Sequence, residues 1–453
     1  MKKKLLIVCS ALVSLSATVN AQTTQKALYR RSSLSTILIE DNDLGKSKDM
    51  VINAYNSNPL PDKYNLHSIN DKKFAPELLK LTTEDFKNAG FYLDTLKKPL
   101  DFIKANKKPF NKLRTLNPEG TIAVMEPSKE ELTNIYIDKY IKDKKIAKQI
   151  VASWYNRTPD GKMNWELLKE RAMYSATADE KSEGRTEQQL KDMLIKDIDV
   201  IGNTFIVFNK MDFYANEPVA RFIRDAAKTK AMESLAGKPQ MMMDKTMKGL
   251  DDVYEKTKEG YTVKCNTYLY QLDWNENIAK KTNDYFFNSN ITNPNSIWDT
   301  TNLYKVKFVG KTVSASIVTF KIGEKRTEEQ IISLQVKRTI DNAMAKLQKS
   351  YVQFRPVSPI AQVGPLQAKI GMKEGLEPGQ TFEILATEWD EFGIPHYKRT
   401  GKIKVDKKLP VWDNRQGAEP ELDADGKPKP VQEFTTFKGG DKAELINVIR
   451  LLK

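Results

Sequence analysis

Two histidines, His67 and His396, and two cysteines, Cys9 and Cys265, are the whole supply of imidazole and thiol in this 453-residue chain. A serine or cysteine nucleophile commonly needs a base beside it and a third group to orient that base. His67 in YNLHSIN and His396 in GIPHYKR both sit in turn-like settings, and no G-x-S-x-G occurs. A histidine-dependent hydrolase is therefore not expected. Zinc asks for clustered His or Cys ligands, commonly an i, i+4 pair on one helix, and this supply does not provide them.

Calcium needs only oxygens, which directs attention to Asp41 with Asp43 and to Asp423 with Asp425 ahead of Gly426. Placing Gly426 at the sixth loop position puts Gln432 where a bidentate glutamate is required, so both stretches read as polar turns. Gly45, Lys46 and Ser47 follow an apolar strand in the manner of a phosphate loop. Glu40 stands where the loop's first glycine belongs, and its charge would repel phosphate.

Met241, Met242, Met243 and Met247 in GKPQMMMDKTMKG offer soft thioethers of the kind that bind Cu(I). Consecutive residues point in different directions on a helix or a strand, so only part of the set can converge. The plainer reading is an adaptable apolar contact surface or core filler, with a Met-loop Cu(I) binder as an alternative. Glycosidase-type chemistry needs two carboxylates at a set separation. Among 59 Asp and Glu residues nothing selects a pair, and a secreted carboxylate-dependent hydrolase of glycan or peptide stands as the other alternative. No catalytic residue, metal or cofactor is assigned.

The opening MKKKLLIVCSALVSLSATVNAQ has three lysines, an apolar run from Leu5 to about Leu15, and the small-residue site Val19, Asn20, Ala21. That order is a secretory signal peptide over residues 1–21, and its apolar run is too short to span a membrane. Cys9 lies inside the run rather than at its end, so soluble export is expected rather than lipid anchoring. Cys265 would then be the remaining thiol. It shares one strand face with Tyr261, Val263, Thr267 and Leu269, which predicts a buried, inert sulfur. No later segment has the roughly eighteen consecutive apolar residues of a transmembrane helix.

The formal net charge is +14. Its densest stretch places Lys97, Lys98, Lys104, Lys107, Lys108, Lys112 and Arg114 around Phe102 and Phe110, and a second group comprises Lys139, Lys142, Lys144, Lys145 and Lys148. In a cytosolic protein, basic residues interleaved with aromatics would suggest nucleic acid. Export replaces that partner with an envelope protein or an anionic envelope surface. A solvated face that aids solubility is the plainer reading of these lysines.

The elements that must position these groups are legible from alternation and capping. SSLSTILIE opens an N-terminal α+β region over 22–120, with a helix starting near Thr82 or Thr83. A central α+β domain over 121–352 contains three long alternating runs, IGNTFIVFNKMDF, GYTVKCNTYLYQLDW and LYKVKFVGKTVSASIVTF. Capping-box spacings at Ser128–Glu131, Thr186–Gln189 and Thr327–Gln330 mark helix starts. The last of these helices should bury Ile331, Leu334, Ile340, Met344 and Leu347. A C-terminal module over 353–453 has short strands and turn residues, in the manner of a small β-barrel or β-sandwich. The fold class is α+β, a mixed or antiparallel sheet with helices followed by that module. The turn-rich loop with Lys373, Glu374, Gly375 and Gly379 is its candidate interaction loop.

The signal ending in Ala-Gln, the WYNR of Trp154–Arg157, the run IGMKEGLEPGQTFEIL and the later VWDNR resemble uncharacterised secreted proteins of Bacteroidota-type envelopes. The domain order, strands and a helix over about 260–350 followed by a Gly-rich β module, is similar to envelope proteins with a curli-export-like domain and to the flagellar H-ring T protein. That resemblance implies a structural or assembly role. The expectation is an exported, non-enzymatic envelope protein, periplasmic, outer-membrane-associated or extracellular, that acts by binding or assembly.

Overall fold

The computed structural model describes residues 32–41, 44, 47–60, 64–66, 69, 71–93, 113–115, 123–125, 127–168, 198–287, 293–317, 327–389, 395–415 and 433–452. The signal-type residues 1–21 lie outside these, as do Lys97, Lys98, Lys104, Lys107, Lys108, Lys112 and His67. The same holds for Asp43, Gly45, Lys46, the Thr186–Gln189 spacing and the Asp423–Gly426 turn.

Strand β1 (Ser32–Ile39) leads into helix α1 (Lys48–Asn56) and returns as β2 (Tyr64–Leu66) and β3 (Lys73–Phe74), both parallel to β1. Helix α2 (Thr83–Asn88) starts at Thr82, whose backbone N–H donates to Asp85 at 2.8 Å in a capping box. A small antiparallel sheet follows, of β4 (Tyr92–Leu93), β5 (Leu113–Thr115) and β6 (Ala123–Met125) in the order β4-β6-β5. Arg114 belongs to β5. Helix α3 (Lys129–Asp143) begins at the expected Ser128–Glu131 box, and α4 (Ile146–Trp154) completes a helical layer.

After the short α5 (Ile198–Gly202), β7 (Thr204–Ala215) pairs parallel with β1. Antiparallel neighbours β8 (Tyr261–Asp273) and β9 (Lys305–Ile317) extend the sheet in the order β2-β1-β7-β8-β9, with β3 also on β1. The sheet is therefore mixed, and it draws on segments from both sides of residue 120.

Helices cover both faces of this sheet, so β1 and β7 are apolar on both sides. One face packs Ile37, Phe208 and Tyr270 against Tyr140, Ile150 and Trp154 of α3 and α4. Trp154 is fully buried, and its indole N–H donates to Thr204 Oγ1 at 3.0 Å, so the polar atom is not stranded. The other face packs Leu34, Val207, Cys265 and Leu269 under α1 and the long helix α10 (Glu328–Ser350). Before it come α8 (Glu276–Phe286) and α9 (Pro294–Thr300), whereas α10 itself runs Glu328–Ser350 from the expected Thr327–Gln330 box.

The α10 stripe is rotated from the expected one. Ile332, Val336, Ile340, Met344 and Leu347 are buried, while Ile331 and Leu334 are only half-buried. Gln335 and Thr339 lie within the stripe, and Gln335 Nε2 donates to the Ser316 carbonyl of β9 at 2.7 Å.

The C-terminal strands β10 (Val357–Val363), β11 (Leu366–Ala368), β12 (Thr381–Trp389), β13 (Pro395–Val405), β14 (Thr435–Lys438) and β15 (Val448–Leu451) close into a barrel. Their order is β10-β11-β14-β13-β12-β15. Closure leaves no free sheet edge, and Phe382, Ile384, Ile403, Phe437 and Ile449 fill the interior. The molecule is thus α+β with a C-terminal β-barrel.

The barrel is joined to α10. Arg355 donates to the carbonyl oxygens of Gln348 at 3.2 Å, Lys349 at 3.1 Å and Leu451 at 3.1 Å. Lys349 also pairs with Glu377.

Candidate docking surface

Strands β7 and β8 stay in register to their last pair, Ala215 opposite Tyr261. Between those two residues the chain makes an excursion of two helices, α6 (Asn216–Ser234) and α7 (Gln240–Thr257). The reversal uses Gly237 at φ 80°, a left-handed backbone that glycine adopts without a Cβ penalty, followed by Pro239 as the N-cap of α7. Asn216 clamps the base. Its Nδ2 donates to the Glu259 carbonyl at 3.0 Å, and its Oδ1 accepts from Thr262 Oγ1 at 2.7 Å.

Polar and cation–π contacts hold the two helices to each other. Tyr254 Oη donates to Glu217 at 2.9 Å, the Arg224 guanidinium lies 4.3 Å from the centre of the Tyr254 ring, and Lys228 pairs with Asp251 at 2.6 Å. The Arg221 bond holds the Glu217 carboxyl below its ordinary range, with Tyr254 adding to it. No residue of α7 is buried, and α6 buries only Asn216 and Ala220.

An amphipathic helix in a globular protein normally turns its apolar stripe inward. Here the stripe faces out. Val219, Phe222 and Ile223 recur at helical spacing on α6 and are 57%, 74% and 59% exposed, with Met242 and Val253 exposed on α7. Beside them is an apolar groove of about 330 Å³, lined by Val219, Ala220, Ile223, Leu250, Val253 and, from the end of β9, Ile317. Arg224, Tyr254 and Thr262 stand at its polar margin.

Met241, Met242, Met243 and Met247 all lie on α7. Successive residues on a helix diverge by about 100°, so the first three thioethers point apart. Only Met243 and Met247 share a side. Among the described residues no group of three or more His, Cys, Asp and Glu side chains is placed to hold a metal ion.

The loop with Lys373, Glu374, Gly375 and Gly379 packs against α10. Glu374 is buried, where it accepts from the Gly371 N–H at 2.8 Å and from Asn414 Nδ2 at 2.9 Å, and the Lys373 N–H donates to Asn414 Oδ1 at 2.7 Å. Gly375, at φ 76°, approaches Ala345 so closely that an added Cβ would lie 3.0 Å from the alanine Cβ. This carboxylate is engaged within the barrel.

The other singled-out residues are spread over the fold. Tyr155 packs edge-on against Trp165, and Arg157 covers the Trp298 ring at 4.7 Å while also bonding Asn295. In VWDNR, the Trp412 carbonyl accepts from Met372 N at 2.9 Å, and Asp413 takes a two-pronged bond from Arg415. His396 is exposed on β13, opposite Glu388. Asp41 pairs with the buried Lys210. Cys265 is fully buried, as its strand face predicts, and burial pushes its thiol up to about 12.

The apolar hairpin was not anticipated from sequence as a unit. Its signals are present in the Val219, Phe222, Ile223 spacing, the alanines of α6, and the Gly237 to Pro239 break. Among the described residues no helix is long and apolar enough to cross a membrane. No protein-family model matches this chain, and no curated protein matches it significantly.

Proposed function

We propose that this is an exported, non-enzymatic envelope protein that acts in binding or assembly, with the α6–α7 hairpin as the element that engages a protein partner. One observation carries the reading: an apolar helical face and groove stand exposed on a hairpin whose feet are the paired ends of β7 and β8. Soluble monomers rarely expose contiguous apolar patches of this kind unless they bind something. Support for the mount comes from β7 and β8, whose paired ends hold the hairpin at both feet. The signal-type N-terminus motivates export, and the resemblance to envelope assembly proteins motivates the role.

The test replaces Phe222 with a photo-reactive phenylalanine analogue in the full chain, expressed in the cells that export it. Irradiation should yield a defined protein adduct, absent when the analogue is placed at the buried Phe382. Mass spectrometry of the envelope fraction should find a mature chain that begins at Gln22. No adduct at Phe222, Val219 or Val253 would remove the docking role, and a chain that keeps residues 1–21 in the cytoplasm would remove export.

A further inference from the structure

Beyond the groove, we propose that the far tip of the hairpin rests in the surface of an anionic phospholipid bilayer. At that tip α6 ends at Ser234, the chain reverses through Gly237, and α7 begins at Gln240. Met232 stands in the last turn of α6, and Met241 and Met242 in the first turn of α7. They are 57%, 82% and 53% exposed. Met241 lies about 180° round α7 from Leu250, and Met232 about 140° round α6 from Ala227, so both turn away from the groove that those two residues line.

Lysines collar the methionines. Met241, Lys245 and Lys248 recur at i, i+4 and i+7 on one side of α7, and Lys238 stands in the turn itself. Lys228 is held by Asp251, whereas Lys230, Lys238, Lys245 and Lys248 have no ion-pair partner among the described residues. Lys245 and Lys248 stand about 6 and 10 Å behind Met241 along the helix. Interfacial helices sink about 5–10 Å into the headgroup region, where a lysine stem lies along apolar surface and its ammonium reaches phosphate.

Charge along the hairpin selects this occupant. The tip half, 226–248, carries Lys228, Lys230, Lys238, Lys245 and Lys248 against Glu233 and Asp244. The base half, 216–225 and 249–257, reverses the balance, with Arg221, Arg224 and Lys256 against Glu217, Asp225, Asp251, Asp252 and Glu255. An anionic surface attracts the first and repels the second, which orients the hairpin end-on. Helices of 19 and 18 residues are about 28 Å long, and fields are screened over about 8 Å at physiological salt, so the base acids stay beyond the surface's reach. A projecting end of two helices gives a folded acidic protein little area to cover. Fluid lipid closes around it, and unbranched methionines mix with acyl chains without a fixed counter-shape.

Flotation of the full mature chain with vesicles reads the outcome. Binding to phosphatidylglycerol and phosphatidylcholine in roughly 2:3 ratio should be at least about tenfold stronger than to phosphatidylcholine alone, and should weaken as salt is raised. Lys238→Gln, Lys245→Gln and Lys248→Gln together should weaken it about a hundredfold, since each lysine near such a surface contributes about fivefold. All three are exposed, so circular dichroism and melting should match the parent. A positional readout excludes the chain's other lysines. A polarity-sensitive dye on Met241→Cys should shift to the blue and be quenched by spin-labelled lipid, while the same dye on Phe222→Cys in the base half should not. Equal binding to both vesicle types, a lysine variant that binds as the parent does, or a Met241 dye that stays in water while the chain floats overturns the proposal. A protein adduct from a photo-reactive analogue at Met241, without vesicle binding, replaces the bilayer with an acidic partner. The groove is read separately, by the photo-adducts at Val219 and Val253.

Discussion

Tyr351 lies across Gly310 of β9, and its hydroxyl donates to the carbonyl oxygen of the adjacent Lys311 at 2.8 Å. A Cβ at Gly310 would overlap the Tyr351 ring. Gly310→Ala should lower unfolding stability by about 1–3 kcal/mol through overpacking. Tyr351→Ala removes the obstacle along with its own packing and bond, so the double variant should be more stable than the sum of the singles by at least about 1 kcal/mol. Urea titration of the four proteins measures the coupling, and strict additivity would show that the ring does not constrain this position.

Glu40, at the end of β1, accepts from Lys73 at 2.8 Å and Lys48 at 2.9 Å. The Lys73 bond leads in holding its carboxyl below the ordinary range, against an opposing desolvation. A depressed acid stabilises the fold above its unfolded value, and the contribution is lost as pH falls through the depressed value. Glu40→Gln should therefore reduce stability at neutral pH by about 1 kcal/mol, given partly exposed lysine partners. Its urea midpoint should converge with that of the parent as pH falls through the depressed value of the Glu40 carboxyl. A constant difference across that range would contradict the assignment.

Cys265 has its thiol close to Thr267 Oγ1 at 3.3 Å, with no exposed surface. Only the thiolate reacts with alkylating reagents, and burial keeps this thiol protonated. Peptide mapping after iodoacetamide treatment in native buffer should find Cys265 unmodified, and concentrated guanidinium should expose it fully. Rapid labelling in the native state would contradict its placement inside the sheet.

Because α7 buries none of its side chains, its amides should open locally at low free energy. Those of β7 and β8, which are paired along their full length between two cores, should exchange only by near-global unfolding. Hydrogen–deuterium exchange of the dilute protein checks this contrast.

Strands and capped helices were the legible part of this molecule. The three long alternating runs became β7, β8 and β9 because β7 and β8 alternate between two filled layers and the outer half of β9 alternates between a covered and an exposed face, and the Ser128 and Thr327 boxes mark true helix starts. The α10 stripe was harder to read because a buried glutamine and threonine interrupt its apolar period. β1 reaches its neighbour β7 across a long stretch of chain, Ser33 opposite Thr204, and local pattern carries no record of such a pairing. The candidate site was the least legible. Val219, Phe222 and Ile223 have the spacing of a core-facing stripe, and only the three-dimensional structure shows that nothing among the described residues covers them.

The hairpin's two feet have a mechanical consequence. A pull on α6–α7 enters the sheet at Ala215 and Tyr261, the paired ends of β7 and β8. Directed along the strands, it loads the β1–β7 and β8–β9 ladders in shear, so many hydrogen bonds resist together rather than unzipping singly. The tension then reaches α10 through the bond of its Gln335 to Ser316 of β9, and the barrel through Arg355. Whatever holds the hairpin is thereby tied through the sheet and α10 to the barrel.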